Sequence, residues 1–491
     1  MHIAFLNPQG NFDALDTGWT LHPDFGGQLV YVKEIAQAMG QKGHKVDILT
    51  RMMQDSNWTQ FADPLDKYND SPNVRIVRIP CGPKKFLNKE QLWPFLPEWT
   101  DNILTFYQAD NREPDFYTTH YADGGLSGVM IKNKTGTPFS FTGHSLGAQK
   151  MDKFIANETE FESVVHKFNF GKRIAAERLS MKYSDLVFTS TLLEKDNQYA
   201  HNLYQNAISV SDPKFSIVPP GVNLKIFNSV ENEATDKIII DRIKSMLDRD
   251  ISLERRQLPM VICSSRLDRK KNHLDLVKAW AVNPDLKNVA NLLIIVRGTD
   301  NPLKEGEKVF SGEEKDIFRE IMSVIDNHDL QGCVSGFDLN SQQELAACYR
   351  YLAREQQGIF ALTARYEPFG LAPLEAIACG LPVVVTKNGG PSESLRDDKR
   401  SYGVLVDPQD PKDIASGILK LIDKEFWKST QIAGRNRVRD KYTWEQTAHG
   451  YLDAIKTVLS RNHFTALQED DIDSEVNIDL NKFKKEYFQN K

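Results

Sequence analysis

Two glutamates eight positions apart, Glu367 and Glu375, are the residues whose types and spacing say most about chemistry. Pro368, Phe369, Gly370 and Leu371 stand between them. An apolar run over 358–363 precedes the pair, and Gly380 follows it as a residue suited to end a helix. This pattern predicts a strand, a loop carrying Glu367, and a helix over 371–379 with Glu375 about one turn inside. The first turn of a helix has N–H groups without intrahelical partners, and such groups bind phosphate. One carboxylate can then accept ribose hydroxyls while the other faces a sugar. That is the chemistry of a sugar nucleotide held by its diphosphate. Taken singly, each glutamate also reads as a solvated charge.

Other residues extend the set. Arg266 and Lys271 lie just beyond an apolar run at 261–263, where an open α/β sheet holds its ligands. Arg266 offers a planar fork to phosphate oxygens and Lys271 a point charge; the alternative is a solvated basic turn. Gly26, Gly27 and Gln28 open a helical pattern, so the backbone there can approach a ligand closely and Gln28 can point at it. A plain turn is the competing explanation. His144 and Ser145 follow an apolar run at 139–142, and His144 can touch a bound sugar. Lys89, Lys150, Lys172 and Arg173 can together make an anion pocket, although each alone is an ordinary surface cation; Lys172 and Arg173 read as preceding a helical stretch that contains Glu177 and Arg178.

These residues need a frame, and the apolar periodicity supplies one. Short runs at 2–6, 46–49, 74–79, 116–120, 139–142, 186–189 and 215–218 read as strands. Amphipathic stretches at 29–39 and 126–132 read as helices between them. A break at Pro219-Pro220-Gly221-Val222-Asn223 and a polar segment over 228–258, helical around 238–247, come next. A second series follows, with strands at 261–263, 292–296, 358–362 and 382–386 and helices at 273–280, 342–353 and 371–379. Residues 444–459 read as a long amphipathic helix. Strand–helix alternation of this kind predicts doubly wound parallel sheets covered on both faces. The class is α/β with two such domains, whose strand ends would face a cleft with one substrate on each side.

The bulk numbers agree with a soluble globular chain. It has 491 residues, 40% hydrophobic and 26% charged, enough for two or three full cores. A net charge of −6 argues against a general nucleic-acid binder. The five cysteines, Cys81, Cys263, Cys333, Cys348 and Cys379, form no C-x-x-C pair and read as reduced thiols of a cytoplasmic protein. No apolar run approaches the ~18 residues of a membrane span, and a strand starting at His2 leaves no room for a signal peptide.

Several segments resemble one family. Asn7-Pro8-Gln9-Gly10-Asn11-Phe12, His22-Pro23-Asp24-Phe25-Gly26-Gly27-Gln28 and Thr142-Gly143-His144-Ser145-Leu146-Gly147 are three of them. Pro219-Pro220-Gly221-Val222-Asn223, Ser265-Arg266-Leu267-Asp268 and Tyr366-Glu367-Pro368-Phe369-Gly370 are the others. Over roughly residues 1–460 the chain is similar to retaining GT-B glycosyltransferases of the sucrose synthase and sucrose-phosphate synthase kind, nearest to the bacterial sucrose-phosphate synthases. The resemblance implies two Rossmann-like domains, 1–222 for a sugar phosphate and 223–440 for the nucleotide sugar. A helix over 441–461 returns to the first domain, and 462–491 is a tail, read as unstructured from its charge.

The resemblance also implies roles. UDP-glucose would be the donor and fructose 6-phosphate the acceptor, neither nucleic acid nor membrane being a partner. Arg266 and Lys271 would hold the diphosphate, Glu375 the ribose, and Glu367 with the Phe369, Gly370 and Leu371 backbone the glucose and phosphate. The Gly27 amide would face the phosphate, Gln28 the acceptor, and His144 the glucose. Lys89, Ser145, Lys150, Lys172 and Arg173 would hold the sugar phosphate. Lys172 stands where the family often has arginine, and so lacks the fork. No carboxylate nucleophile is implied, which favours same-face substitution over double displacement. Domain closure would exclude water, no cofactor or metal is called for, and a separate sucrose-phosphate phosphatase would act downstream. The rivals are a mannosylfructose-phosphate synthase using GDP-mannose, a sucrose synthase using free fructose, and a non-catalytic nucleotide-sugar binding protein.

Overall fold

Apolar runs without polar alternation belong to strands buried on both faces. The computed structural model, which describes residues 1–16, 27–231, 233–461 and 479–489, uses them that way. The chain forms two units, Met1–Pro220 with Trp444–Lys491, and Gly221–Thr443.

The first unit holds eight strands. They are β1 (His2–Leu6), β2 (Lys45–Arg51), β3 (Leu65–Lys67), β4 (Val74–Ile79), β5 (Phe116–His120), β6 (Phe139–Thr142), β7 (Leu186–Thr189) and β8 (Phe215–Ile217). Their order is β3-β4-β2-β1-β5-β6-β7-β8, with only β3 antiparallel to its neighbour. β1 shows the two-sided burial directly: Ile3 and Phe5 enter one core and Ala4 and Leu6 the other. Helices Gly27–Gln41 and Trp444–Leu459 cover the first face, with Val32, Ile35, Tyr451 and Ile455 in that core. Helices Leu96–Asp110 and Tyr121–Thr135 cover the other through Trp99, Ile103, Leu126 and Val129.

The second unit has six parallel strands, β9 (Met260–Ser264), β10 (Asn291–Ile295), β11 (Val334–Phe337), β12 (Ile359–Leu362), β13 (Val383–Thr386) and β14 (Val404–Val406). Their order is β11-β10-β9-β12-β13-β14. On β9, Met260 and Ile262 face one core, Val261 and Cys263 the other. In each sheet the chain winds outward from a central strand, then returns to that strand's other side, to β5 beside β1 and to β12 beside β9. Such a reversal leaves a crevice at the carboxyl ends of the two strands, where open α/β sheets bind ligands.

Three expectations change. The helix expected over 126–132 runs over Tyr121–Thr135. The glycines of its first turns allow close packing: a Cβ on Gly124 would lie 2.6 Å from the Leu6 carbonyl oxygen. Lys172 and Arg173, expected ahead of a helix, lie inside helix Phe170–Tyr183. The tail read as unstructured carries a helix over Leu480–Phe488, with Asp479 capping it through the Asn481 N–H at 2.8 Å. Phe483 and Tyr487 join the core with Phe161 and Val165, which no charge count reveals. The segment His22-Pro23-Asp24-Phe25-Gly26 lies outside the described residues. Among those described, no helix is long and apolar enough to cross a membrane.

Candidate active site

In the second unit, adjacent β9 and β12 end at Ser264 and Leu362, so the loops after them leave the sheet side by side. Backbone and amide contacts tie these loops together. The Arg365 N–H donates to the Lys270 carbonyl at 2.8 Å. Asn272 Nδ2 donates to the Thr363 and Pro408 carbonyls at 3.0 and 2.6 Å. On this frame Lys271 Nζ donates to Glu367 Oε2 at 2.8 Å. The far side of the Glu367 loop is held by β13's extension: the Glu367 N–H reaches the Asn388 carbonyl at 3.1 Å, and the Gly390 N–H the Glu367 carbonyl at 2.9 Å. Any side chain at Gly390 would collide with Phe369, whose Cα lies 2.5 Å from a built Cβ.

Gly370, at φ +94, turns the chain into helix Leu371–Cys379, and Gly380, at φ +107, ends it. The first N–H groups of that helix point back along the loop that carries Glu367. Glu375 sits one turn in, where burial pushes its carboxyl up to about 7. Arg266 extends from the β9 loop with its side chain 84% exposed, its closest acid being Asp268 at 4.0 Å. The unit thus sets two cations, a half-buried carboxylate and a helix N-terminus on the two adjacent strand ends of β9 and β12. This group can neutralise a diphosphate and accept hydroxyl protons.

The first unit has its own cavity, about 240 Å³, at the end of β1 and β5. Gly27, Gln28, Lys89, Lys150 and Arg173 all line it, so five of the expected residues meet there. Arg173 is fixed by Glu177, whose Oε1 accepts from Nε at 2.9 Å, and by the Ser145 carbonyl, which accepts from Nη2. Burial opposes its charge, but Glu177 outweighs that and holds the guanidinium above its usual pKa. Glu177 is itself buried and also accepts the Gly147 N–H at 2.9 Å and the Tyr204 hydroxyl. Lys150 is in the opposite position. Burial, then Arg173 and Lys89, push its ammonium down to about 8. Three cations crowded in a partly closed cavity, with Glu90 and Asp123 also on its wall, suit a negatively charged ligand.

Two expected residues are placed differently. Lys172 is exposed and does not line the cavity, because neighbours on a helix point about 100° apart. Ser145 offers its carbonyl to Arg173 rather than a hydroxyl to the cavity. His144 stands at the end of β6 in a left-handed conformation, φ +53, and its Nε2 lies 2.7 Å from His120 Nδ1. Burial pushes His144 down to about 3, so at neutral pH it carries no positive charge.

Gln9, Trp93, Tyr121 and Asp123 also line the cavity and were not foreseen. Asp123 accepts from Gln9 Nε2 at 3.2 Å and keeps its second oxygen without a partner, and burial pushes its carboxyl up to about 6. The part of the rule that places a carboxylate just past a strand end applies to Asp123 after β5, although β5 is the more polar strand. Gln28 turns its amide to Asn7 Oδ1, 2.6 Å away at the end of β1.

Residues 1–247, which carry the cavity, match the family model of the sucrose synthase first GT-B domain. Residues 246–439, which carry the Lys271–Glu367 site, match that of glycosyl transferases group 1. A probable sucrose-phosphate synthase of Thermosipho melanesiensis is 43% identical over 456 residues, 93% of this chain and 96% of its own. The chain belongs to the GT-B glycosyltransferases of sucrose synthase and sucrose-phosphate synthase type. Among these glycosyltransferases, a probable sucrose-phosphate synthase of Solanum tuberosum is 30% identical over 92% of this chain but only 47% of its own length. The chain therefore spans about half the length of the plant family members it matches. The fold is shared with a solved sucrose-phosphate synthase of Thermosynechococcus elongatus, at a TM-score of 0.65 and 23% identity over 94% of this chain and 99% of that one. Both GT-B units of this glycosyltransferase thus carry a polar site at the reversal point of their sheet.

Proposed function

We propose that the chain transfers glucose from UDP-glucose to fructose 6-phosphate, with retention of configuration, and releases sucrose 6-phosphate and UDP. The observation that carries this is the gathering of Lys89, Lys150 and Arg173 in the first-unit cavity. A dianionic phosphate needs several cations to offset its desolvation; free fructose needs none. In the second unit, Arg266, Lys271 and the N–H groups at the start of helix Leu371–Cys379 stabilise the UDP leaving group, without a metal ion. The bond from the glucose anomeric carbon to the phosphate oxygen breaks as the bond to the fructose hydroxyl oxygen forms on the same face. The hydroxyl proton goes to the departing phosphate. Catalysis is then positioning and charge stabilisation.

The test is UDP or GDP release across two donors, UDP-glucose and GDP-mannose, and two acceptors, fructose 6-phosphate and fructose. UDP-glucose with fructose 6-phosphate should give the highest kcat/KM. Equal or faster release with GDP-mannose or with fructose would overturn the assignment. Binding of both ligands without any release would make the chain a nucleotide-sugar binder.

Acceptor affinity should also depend on pH. Lys150 is charged below about 8 and neutral above it. The second ionisation of a phosphate monoester is complete well below that, its pKa being ~6. The KM for fructose 6-phosphate should therefore be flat from pH 7 to 7.5 and rise several-fold by pH 9. Lys150→Arg keeps its charge over this range and should flatten the rise. A rise of equal size in that variant would assign the titration to another group.

A further inference from the structure

We infer that His120 is a positioning residue that holds His144 in its Nδ1–H tautomer, so that His144 presents a hydrogen-bond donor, not an acceptor, to an oxygen of the bound sugar. His120 ends β5 and is fully buried. It stacks on Phe5 with ring centroids 5.6 Å apart and planes 6° from parallel. Its Nδ1 lies 2.7 Å from His144 Nε2, so one hydrogen occupies that contact. His120 Nε2 is buried without a partner.

That last atom decides the direction of the bond. If His144 Nε2 carried the hydrogen, His120 would have to be protonated at Nε2, leaving an N–H buried with nothing to accept it. If His120 Nδ1 carries it, Nε2 is only an unused lone pair. Buried N–H groups without acceptors are much rarer than acceptors left short of a donor. The hydrogen therefore sits on His120 Nδ1, His144 Nε2 accepts it, and the second nitrogen of His144 carries the other hydrogen. A second proton on the pair would place an imidazolium in the core against Phe5 and Tyr31, and burial holds both rings neutral.

His144 itself pays for its place. It is a non-glycine residue at φ +53, a conformation that persists where the surroundings over-determine it and that gathers at functional sites. Tyr31 packs edge-on to its ring at 4.9 Å, and the ring of Tyr121, a cavity residue, lies tilted against it at 5.3 Å. The ring is thus clamped by aromatic contacts and its tautomer by His120.

The direct test is nitrogen-15 spectroscopy of protein labelled at its eleven histidines, with His120 and His144 assigned by single substitution. Both residues should show protonated Nδ1 and bare Nε2, unchanged from pH 8 to 6. A protonated Nε2 on His144 overturns the inference. This measurement does not depend on the proposed reaction; a second arm, kinetics, rests on that function. His120→Asn keeps an N–H donor near the Nδ1 position and should retain most of the turnover. His120→Leu removes it and should lower kcat about tenfold, with the KM for fructose 6-phosphate within twofold. Equal losses in both variants at unchanged Tm would show that filling the core, not donating to His144, is what His120 does. If the wild-type chain turns over no sugar pair, the reaction is wrong while the spectroscopic result still stands or falls alone.

Discussion

Lys271→Ala should lower kcat by roughly ten- to a hundredfold, with the KM for the donor changed only a few-fold. The ammonium would stabilise charge that grows on the diphosphate as UDP departs, so its loss is felt in the transition state more than in the bound donor. A hydrogen bond to a charged group contributes about 1.5–3 kcal/mol, and each 1.36 kcal/mol is about tenfold in rate. The structure adds a second term. Lys271 is paired with Glu367 at 2.8 Å, and the Glu367 side chain is only 13% exposed. Removing the lysine leaves that carboxylate, at the proposed diphosphate site, without its counter-charge. The double variant Lys271→Ala, Glu367→Gln separates the two effects. If Lys271 serves only to neutralise Glu367, the double variant matches Glu367→Gln alone; if it stabilises the leaving group, the double variant falls about tenfold or more below Glu367→Gln. A double variant no slower than Glu367→Gln, or unchanged kcat in Lys271→Ala, removes Lys271 from the reaction.

Lys150→Ala should raise the KM for fructose 6-phosphate by about tenfold or more, the expected size of one lost charged hydrogen bond. The preference for fructose 6-phosphate over fructose should fall by the same factor, and donor hydrolysis without acceptor should stay the same. Arg173 calls for a gentler change. Its Nε holds the buried Glu177, so Arg173→Ala would strand a carboxylate at a cost of about 3–5 kcal/mol in folding. Arg173→Lys keeps the charge but loses the two-pronged hold on Glu177 and the Ser145 carbonyl. It should weaken the phosphate site with a smaller fall in Tm. If neither Lys150→Ala nor Arg173→Lys alters the ratio of fructose 6-phosphate to fructose turnover, the phosphate is held elsewhere.

What could be read without the structure was local. The helix over Leu371–Cys379 and its stop at Gly380 follow from a dozen adjacent residues, because helix ends are set by groups within one turn. β9, β10, β12 and β13 were legible because a parallel strand buried on both faces reads as a near-continuous apolar run. Glu367, Lys271 and Arg266 could be placed at strand ends for the same reason. Chains of contact between distant residues were not legible. Lys271 meets Glu367 across 96 positions and His120 meets His144 across 24, and no periodicity links such partners. Lys172 and Arg173 are adjacent and equally basic, and only the helix direction sends one to the cavity and the other to solvent. Phe483 and Tyr487 sit in a stretch whose charge suggested no structure, and they fold because unit 1 offers Phe161 and Val165 to cover. The sequence by itself determined the central strands of both sheets, the helix after Glu367 and the loops that reach the strand ends, since those depend on neighbouring residues. The tertiary structure alone decided which charges are crowded, paired or left without partners, since burial and electrostatics depend on distances in space.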